Sequence, residues 1–145
     1  MAQVTESEYR AKEREKNRYE QEKTTCERKI GSLNDQISAL DKAISQMTNV
    51  YDEFKRKVKE IDSTLNEKRE FTGNQQSKLI KQDGNTLYTK AVYCRDKVVN
   101  HALDEMEWLR NDLRAKRNEQ YGILGRIQNH ISSIGTWLKT NFFNN

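Results

Sequence analysis

Residues 26–65 read CERKIGSLNDQISALDKAISQMTNVYDEFKRKVKEIDSTL. The apolar residues in this stretch are Cys26, Ile30, Leu33, Ile37, Leu40, Ile44, Met47, Tyr51, Phe54, Val58, Ile61 and Leu65, separated by gaps that alternate between four and three. A helix turns once per about 3.6 residues, so this spacing gathers all of them on one narrow stripe. A strand, with its period of two, would scatter them over both faces. A sustained period of 3.5 is the seam of a supercoiled helix, and it carries structure rather than chemistry.

Composition agrees with a narrow buried stripe on a wide solvated surface. The chain of 145 residues has no Pro and six Gly, with 33% charged and 34% apolar residues. Its mean hydropathy of −1.07 leaves little apolar surface for a thick core. The net charge is +4. Residues 1–70 hold 15 basic and 15 acidic side chains, and 71–145 hold 11 and 7. The signs alternate throughout, as on the wet face of a long helix. They do not cluster as in a nucleic-acid binder, so no nucleic-acid partner is expected. Apolar runs are too short for a membrane span. The first residues, MAQVTESEYRAKEREK, contain no apolar core of a secretory signal. The expected location is the cytoplasm, or outside the cell by a route that needs no signal peptide. Cys26 and Cys94 are too few for a disulfide framework or a zinc site, and Cys26 lies on the stripe as a small core residue.

The rest of the chain resolves into two helices and a turn. Residues 1–25 are dense in charge, with Tyr9 and Tyr19 the only large apolar side chains, and opposite charges recur three and four residues apart. Thr5 or Ser7 caps the helix start, and Glu8 stands three residues after Thr5 in capping-box spacing. The first helix is expected over about 7–66. Gly31 inside it suggests a close approach of another helix, or a bend. Residues 67–85 contain Gly73, Gly84 and neighbouring Asn and Asp, and are expected to reverse the chain between 71 and 85, with one helical turn around Gln75–Lys81 and Thr86 capping a second helix over about 86–140. Leu87, Val92, Val99, Leu103, Met106, Leu109, Leu113, Leu124, Ile127, Ile131, Ile134 and Leu138 form its stripe, interrupted by Arg110, Arg117 and Gln120. A polar seam residue fixes register or partner, or its stem snorkels.

These elements predict an all-α, single-domain, coiled-coil-like antiparallel helical hairpin. Folded about residue 75, residue i meets roughly 150 − i, so Leu113 faces Ile37 and Met106 faces Ile44. The same register sets Ile127, Ile131, Ile134 and Leu138 against the charged residues 12–23. The second helix is therefore expected to carry apolar surface that the first cannot cover. The partner-binding set read from this is Val99, Met106, Leu124, Ile127, Ile131, Ile134, Trp137 and Leu138. Association follows, as a homodimeric four-helix bundle or by docking onto another helical protein. Chemistry is not expected. His101 has only Asp104 and Glu105 at helical spacing, His130 and Cys94 lack a paired ligand or base, and neither phosphate-binding glycine loop is present, so no metal, cofactor or catalytic residue is assigned.

Phe71-Thr72-Gly73, followed by a polar stretch and a long helix, resembles the Trp-x-Gly turn of the small helical-hairpin substrates of type VII secretion, with Phe71 in place of the Trp. The length and charge are more similar to the helical partner proteins of LXG-type toxins. That resemblance implies a targeting factor or chaperone that binds the elongated helical N-terminal region of a secreted toxin, alone or with a second small helical protein. It also implies a turn in which Phe71 clamps the loop and Gly73 permits the reversal. The family's Tyr-x-x-x-Asp/Glu export signal is absent from the tail TWLKTNFFNN, and Tyr9-x-x-x-Glu13 has that spacing at the opposite end. The resemblance therefore implies a partner that presents the signal instead. The alternative reading is a self-associating structural coiled coil with no toxin partner. A basic helical binder of nucleic acid or anionic membrane is a weaker third.

Overall fold

Thr5 starts the first helix with a reciprocal pair of hydrogen bonds. The Glu8 N–H donates to Thr5 Oγ1 at 3.2 Å, and the Thr5 N–H donates to Glu8 Oε2 at 2.9 Å. This is the capping box that the spacing suggests. From that cap α1 runs over Glu6–Phe71, 66 residues without a break. The computed structural model describes residues 2–71 and 74–143, with side chains described for 3–67 and 81–143. After α1 come α2 (Asn74–Tyr93), a π-helical turn (Cys94–Val99) and α3 (Asn100–Thr140). A two-residue strand lies at each end, β1 (Ala2–Gln3) and β2 (Asn141–Phe142). The chain is all-α apart from these strands, with two long helical stretches packed against each other.

The seam forms as its spacing demands. Cys26, Ile30, Ile37, Ile44, Val58 and Leu65 are buried, and the other members of the stripe are half-buried. Opposite them Val99, Leu103, Leu113, Ile127 and Ile134 are buried. From Val99 along α3, positions 99, 103, 106, 110, 113, 117, 120, 124, 127, 131, 134 and 138, again alternating four and three, are all buried or half-buried. Arg110, Arg117 and Gln120 are thus members of the seam rather than interruptions of it. Leu87 and Leu109, expected in the stripe, are exposed instead.

Contacts divide the molecule into two units. The first contains Met1–Ile37 with Asp112–Asn145, and the second Ser38–Asn111. In the first, Cys26 faces Gln120, Asn34 faces Arg117 and Tyr19 faces His130, which fixes the helices as antiparallel. The second unit is a helical hairpin in which Asp41 faces Arg110 and Leu65 faces Gly84. These pairs lie within a few residues of the register expected from folding at residue 75.

Three expectations change. The turn anticipated over 67–85 is helical over 67–71 and 74–85. Asp83, Gly84 and Asn85 are inside α2, and the Thr86 hydroxyl donates to the Gln82 carbonyl at 3.0 Å instead of capping a helix. Gly84 is there for space: a Cβ on it would overlap Leu65 Cδ2. Gly31 has no neighbour within 4 Å of such a Cβ, so close approach of another helix does not account for it. The Phe71 and Gly73 turn motif lies outside the described residues except for the backbone of Phe71, the last residue of α1.

The π turn corrects a fault in phase. Half-buried Ala91 and Arg95 and buried Val99 are spaced four and four, where a seam returns three after four and would reach Val98. Val98 is 53% exposed and Val99 6%. The Asn100 N–H bonds to the Arg95 carbonyl, five residues back, which inserts one residue and keeps Val99 facing α1.

Gly122→Ala and Gly125→Ala are each expected to stabilise by about 0.5–1 kcal/mol, because nothing lies within 4 Å of the added methyl. Gly84→Ala is expected to destabilise by about 1 kcal/mol, since crowding Leu65 costs about 1–3 kcal/mol against about 1 kcal/mol of helix propensity gained. Urea unfolding followed by circular dichroism checks all three, and a Gly84→Ala midpoint above the wild type would show that Leu65 yields freely.

Candidate helix-binding surface

Seven of the eight residues read from the sequence as a partner-binding set lie in the intramolecular seam, and Trp137 lies one place before seam residue Leu138. Val99, Ile127 and Ile134 are buried, and Met106, Leu124, Ile131, Trp137 and Leu138 are half-buried. The expectation that the C-terminal part of this stripe is uncovered is corrected. Ile127 forms a cluster with Cys26 and Ile30, against which Tyr19, Ile123, Leu124 and Ile131 pack.

The cover comes from the charge-dense segment of α1 ahead of Cys26. Tyr9, Lys12, Lys16, Tyr19 and Lys23 are half-buried, and their spacing of three, four, three and four continues the heptad of α1 back from Cys26. Lysine stems lie along apolar surface while their ammonium groups stay in water. Lys12 Nζ stands 5.8 Å from the centroid of Trp137, and Lys16 borders a groove with Ile131 and Leu138. Tyr19 stacks on His130 at 4.7 Å. The heptad was therefore readable further upstream had amphipathic residues been counted.

The ends of the first unit are clasped. β1 and β2 pair in parallel, Ala2 with Asn141 and Gln3 with Phe142, and the Val4 N–H donates to the Phe142 carbonyl at 2.8 Å. Segments flanking two antiparallel helices run in opposite directions, so a parallel pair requires one of them to fold back. Asn141 Nδ2 donates to the Trp137 carbonyl at 2.7 Å, satisfying one of the acceptors left free at a helix end. Tyr9 meets Phe143 at 4.9 Å and Trp137 at 6.2 Å between ring centroids. This small sheet has no counterpart in the all-α reading, because two-residue strands carry no periodicity.

Three polar groups sit in the seam. Arg110 Nη1 donates to Asp41 Oδ1 at 3.2 Å, and Arg117 Nη1 donates to Asn34 Oδ1 at 3.3 Å. Gln120 accepts from the Cys26 thiol through its carbonyl at 3.2 Å. The Arg117 rung lies in the first unit and the Arg110 rung in the second, so each sets the alignment of the helices within its own unit. Each arginine leaves its Nε buried without a hydrogen-bond partner. Such groups cost stability and specify register.

In the second unit one flank of the seam is apolar over part of its length, before Lys57 and Thr64 continue it. Ala43, Val50, Ala102 and Leu109 each precede a seam residue, which sets them on the same side of the antiparallel pair. Val50 is 38% exposed and Leu109 42%. The opposite flank carries Asp41, Thr48, Lys55, Asp62, Asn100 and Glu107. Trp108, next to Leu109, is 70% exposed. Arg95 in the π turn makes a two-pronged contact with Asp96, at 2.7 and 3.1 Å. That hydrogen bond holds the exposed Asp96 carboxyl below its usual range and raises the Arg95 guanidinium. What the pair adds to stability is present above the ordinary carboxylate pKa and fades as the pH falls past the lowered one.

His101 pairs with Glu105 at 3.1 Å on an exposed face, and no cluster of potential metal ligands occurs among the described residues. No helix among them is long and apolar enough to cross a membrane. No protein-family model, curated protein or solved structure matches the chain.

Replacing both rungs (Arg110→Leu with Arg117→Leu) is expected to raise the thermal midpoint, by about 3 °C for each kcal/mol gained. The same variant is expected to spread light-scattering masses over more than one species, since apolar seams tolerate more alignments. A lower midpoint with a single mass would show that the rungs stabilise rather than specify.

Proposed function

We propose that this protein is a non-enzymatic helical binding subunit whose two-helix units are completed by helices of another polypeptide. One observation carries the reading. Among the described residues no large side chain is fully enclosed: even Cys26 and Val58, the most buried, keep 4% of their surface. A single seam between two helices leaves every buried residue at an edge, and bundles close that edge with further helices. The Val50 and Leu109 flank offers the wider apolar face that such packing uses.

The partner proposed is the helical N-terminal region of an LXG-type toxin, with or without a second small helical protein, and the role is that of targeting factor or chaperone for type VII export. The sequence resemblance and the helical architecture support this choice. A chain with spare apolar flank and matched surface charges is suited to capture by contact rather than to catalysis.

The test is co-expression with the N-terminal region of a toxin of that class. Wild-type chain is expected to co-purify with it. Val50→Glu with Leu109→Glu is expected to weaken capture at least tenfold while helicity is retained, because two carboxylates enter the flank but not the seam. Unchanged capture by that variant removes the flank from the interface. No capture by the wild type, together with a stable homodimer alone, favours the self-associating scaffold instead.

A further inference from the structure

The facing surfaces of the first unit do not match in chemistry. On α3, Leu124, Ile127, Ile131, Ile134 and Leu138 form an uninterrupted apolar stripe. On α1, the positions that cover it from Tyr9 to Lys23 supply two tyrosines and three lysines, with no aliphatic residue. Lys12 and Lys23 keep about two-fifths of their side-chain surface in water and pair along their own helix, with Glu15 at 3.4 Å and Glu27 at 3.9 Å. Beyond Cys26 the same helix presents Ile30, Leu33, Ile37 and Leu40 at the equivalent positions. One helix thus has a strong seam and, ahead of it, a weak one, and the weak part is shut at its end by the β1–β2 pair and the Tyr9, Trp137 and Phe143 rings.

We propose that residues 6–23 of α1 are a displaceable cover, and that the α3 stripe from Leu124 to Leu138 is a docking site for an incoming amphipathic helix. The partner's chemistry follows from what the cover lacks. It is a helix of about three heptads with Leu or Ile at alternating three- and four-residue spacing, lying antiparallel to α3 as α1 does. The inference rests on the helix-binding reading above and adds a second surface to it, one that opens by exchange and is distinct from the standing flank. The lysine-lined face is what makes exchange feasible. A resident aliphatic seam would hold against any newcomer, whereas lysine stems cover α3 well enough to keep it soluble and poorly enough to be replaced. Once released, a charged segment of this length has little to hold it helical, because isolated helices of this size are marginal in water.

The probe is a synthetic peptide of residues 5–25 carrying Lys12→Leu, Lys16→Leu and Lys23→Leu, added to the full-length protein. Each exchange at a half-buried position favours the peptide by about fivefold, hence roughly a hundredfold for three. The tethered resident segment competes at an effective concentration on the order of 1 mM. The expected apparent Kd is therefore about 10 μM, and about 1 mM for the unsubstituted peptide. On binding, the amides of residues 6–23 are expected to lose hydrogen-exchange protection at least tenfold, while those of 124–138 stay protected. The full-length protein carrying the same three substitutions is expected to bind the peptide about a hundredfold more weakly. Peptide bound with residues 6–23 still protected overturns the exchange and leaves the helix-binding reading standing. No binding at 1 mM, or equal binding by the substituted protein, also overturns it, while toxin capture through the flank is judged by its own experiment.

Discussion

A helix that turns once per 3.6 residues offers a single stripe to each neighbour, and two helices alone share a single seam. Everything buried here lies on that seam. Among the described residues every buried side chain is apolar, and each occupies a position of the alternating three-and-four pattern. The outer faces carry charge paired along each helix, such as Arg10 with Glu6 and Glu13, and Arg56 with Glu53 and Glu60. Such exposed pairs contribute little individually. Stability therefore depends on how well the two stripes meet.

The stripes do not meet equally well along their length. Between Ile30 and Leu65 aliphatic and aromatic residues line α1, whereas from Tyr9 to Lys23 the same helix offers phenol rings and lysine stems. Arg110 and Arg117 place hydrogen bonds where apolar contact would be stronger. The chain thus gives up stability at chosen points of its seam, in one place for alignment and in another for a cover that yields.

How much of this was legible depended on whether a residue's type reveals its role. The stripe from Cys26 to Leu65 was plain because its members are apolar in any context. The Thr5 and Glu8 box was plain because capping depends on hydrogen-bonding groups at a fixed spacing. Lys12, Lys16 and Lys23 were misread because lysine is ambivalent: its stem is apolar and its head is not. That error left Ile127 to Leu138 looking uncovered. Gly84 was misread for a similar reason, since glycine serves both turns and close approaches, and only the position of Leu65 decides between them. The flank at Val50 and Leu109 does not stand out from the seam in the sequence, because both residues sit one place before seam members and Leu109 reads as part of the stripe.

The π turn was foreshadowed only by the uneven steps from Leu87 to Val92 and Val99, five and then seven. Over Cys94–Val99 the chain holds one residue more than a plain α-helix would require. Without it, ordinary spacing after Ala91 and Arg95 would bring Val98 rather than Val99 onto the seam. The surplus is swallowed within a few residues, so nothing after Asn100 is rotated by it. A lengthened helix has in this way kept its downstream face, as a gear keeps its timing when an extra tooth is taken up in a single link.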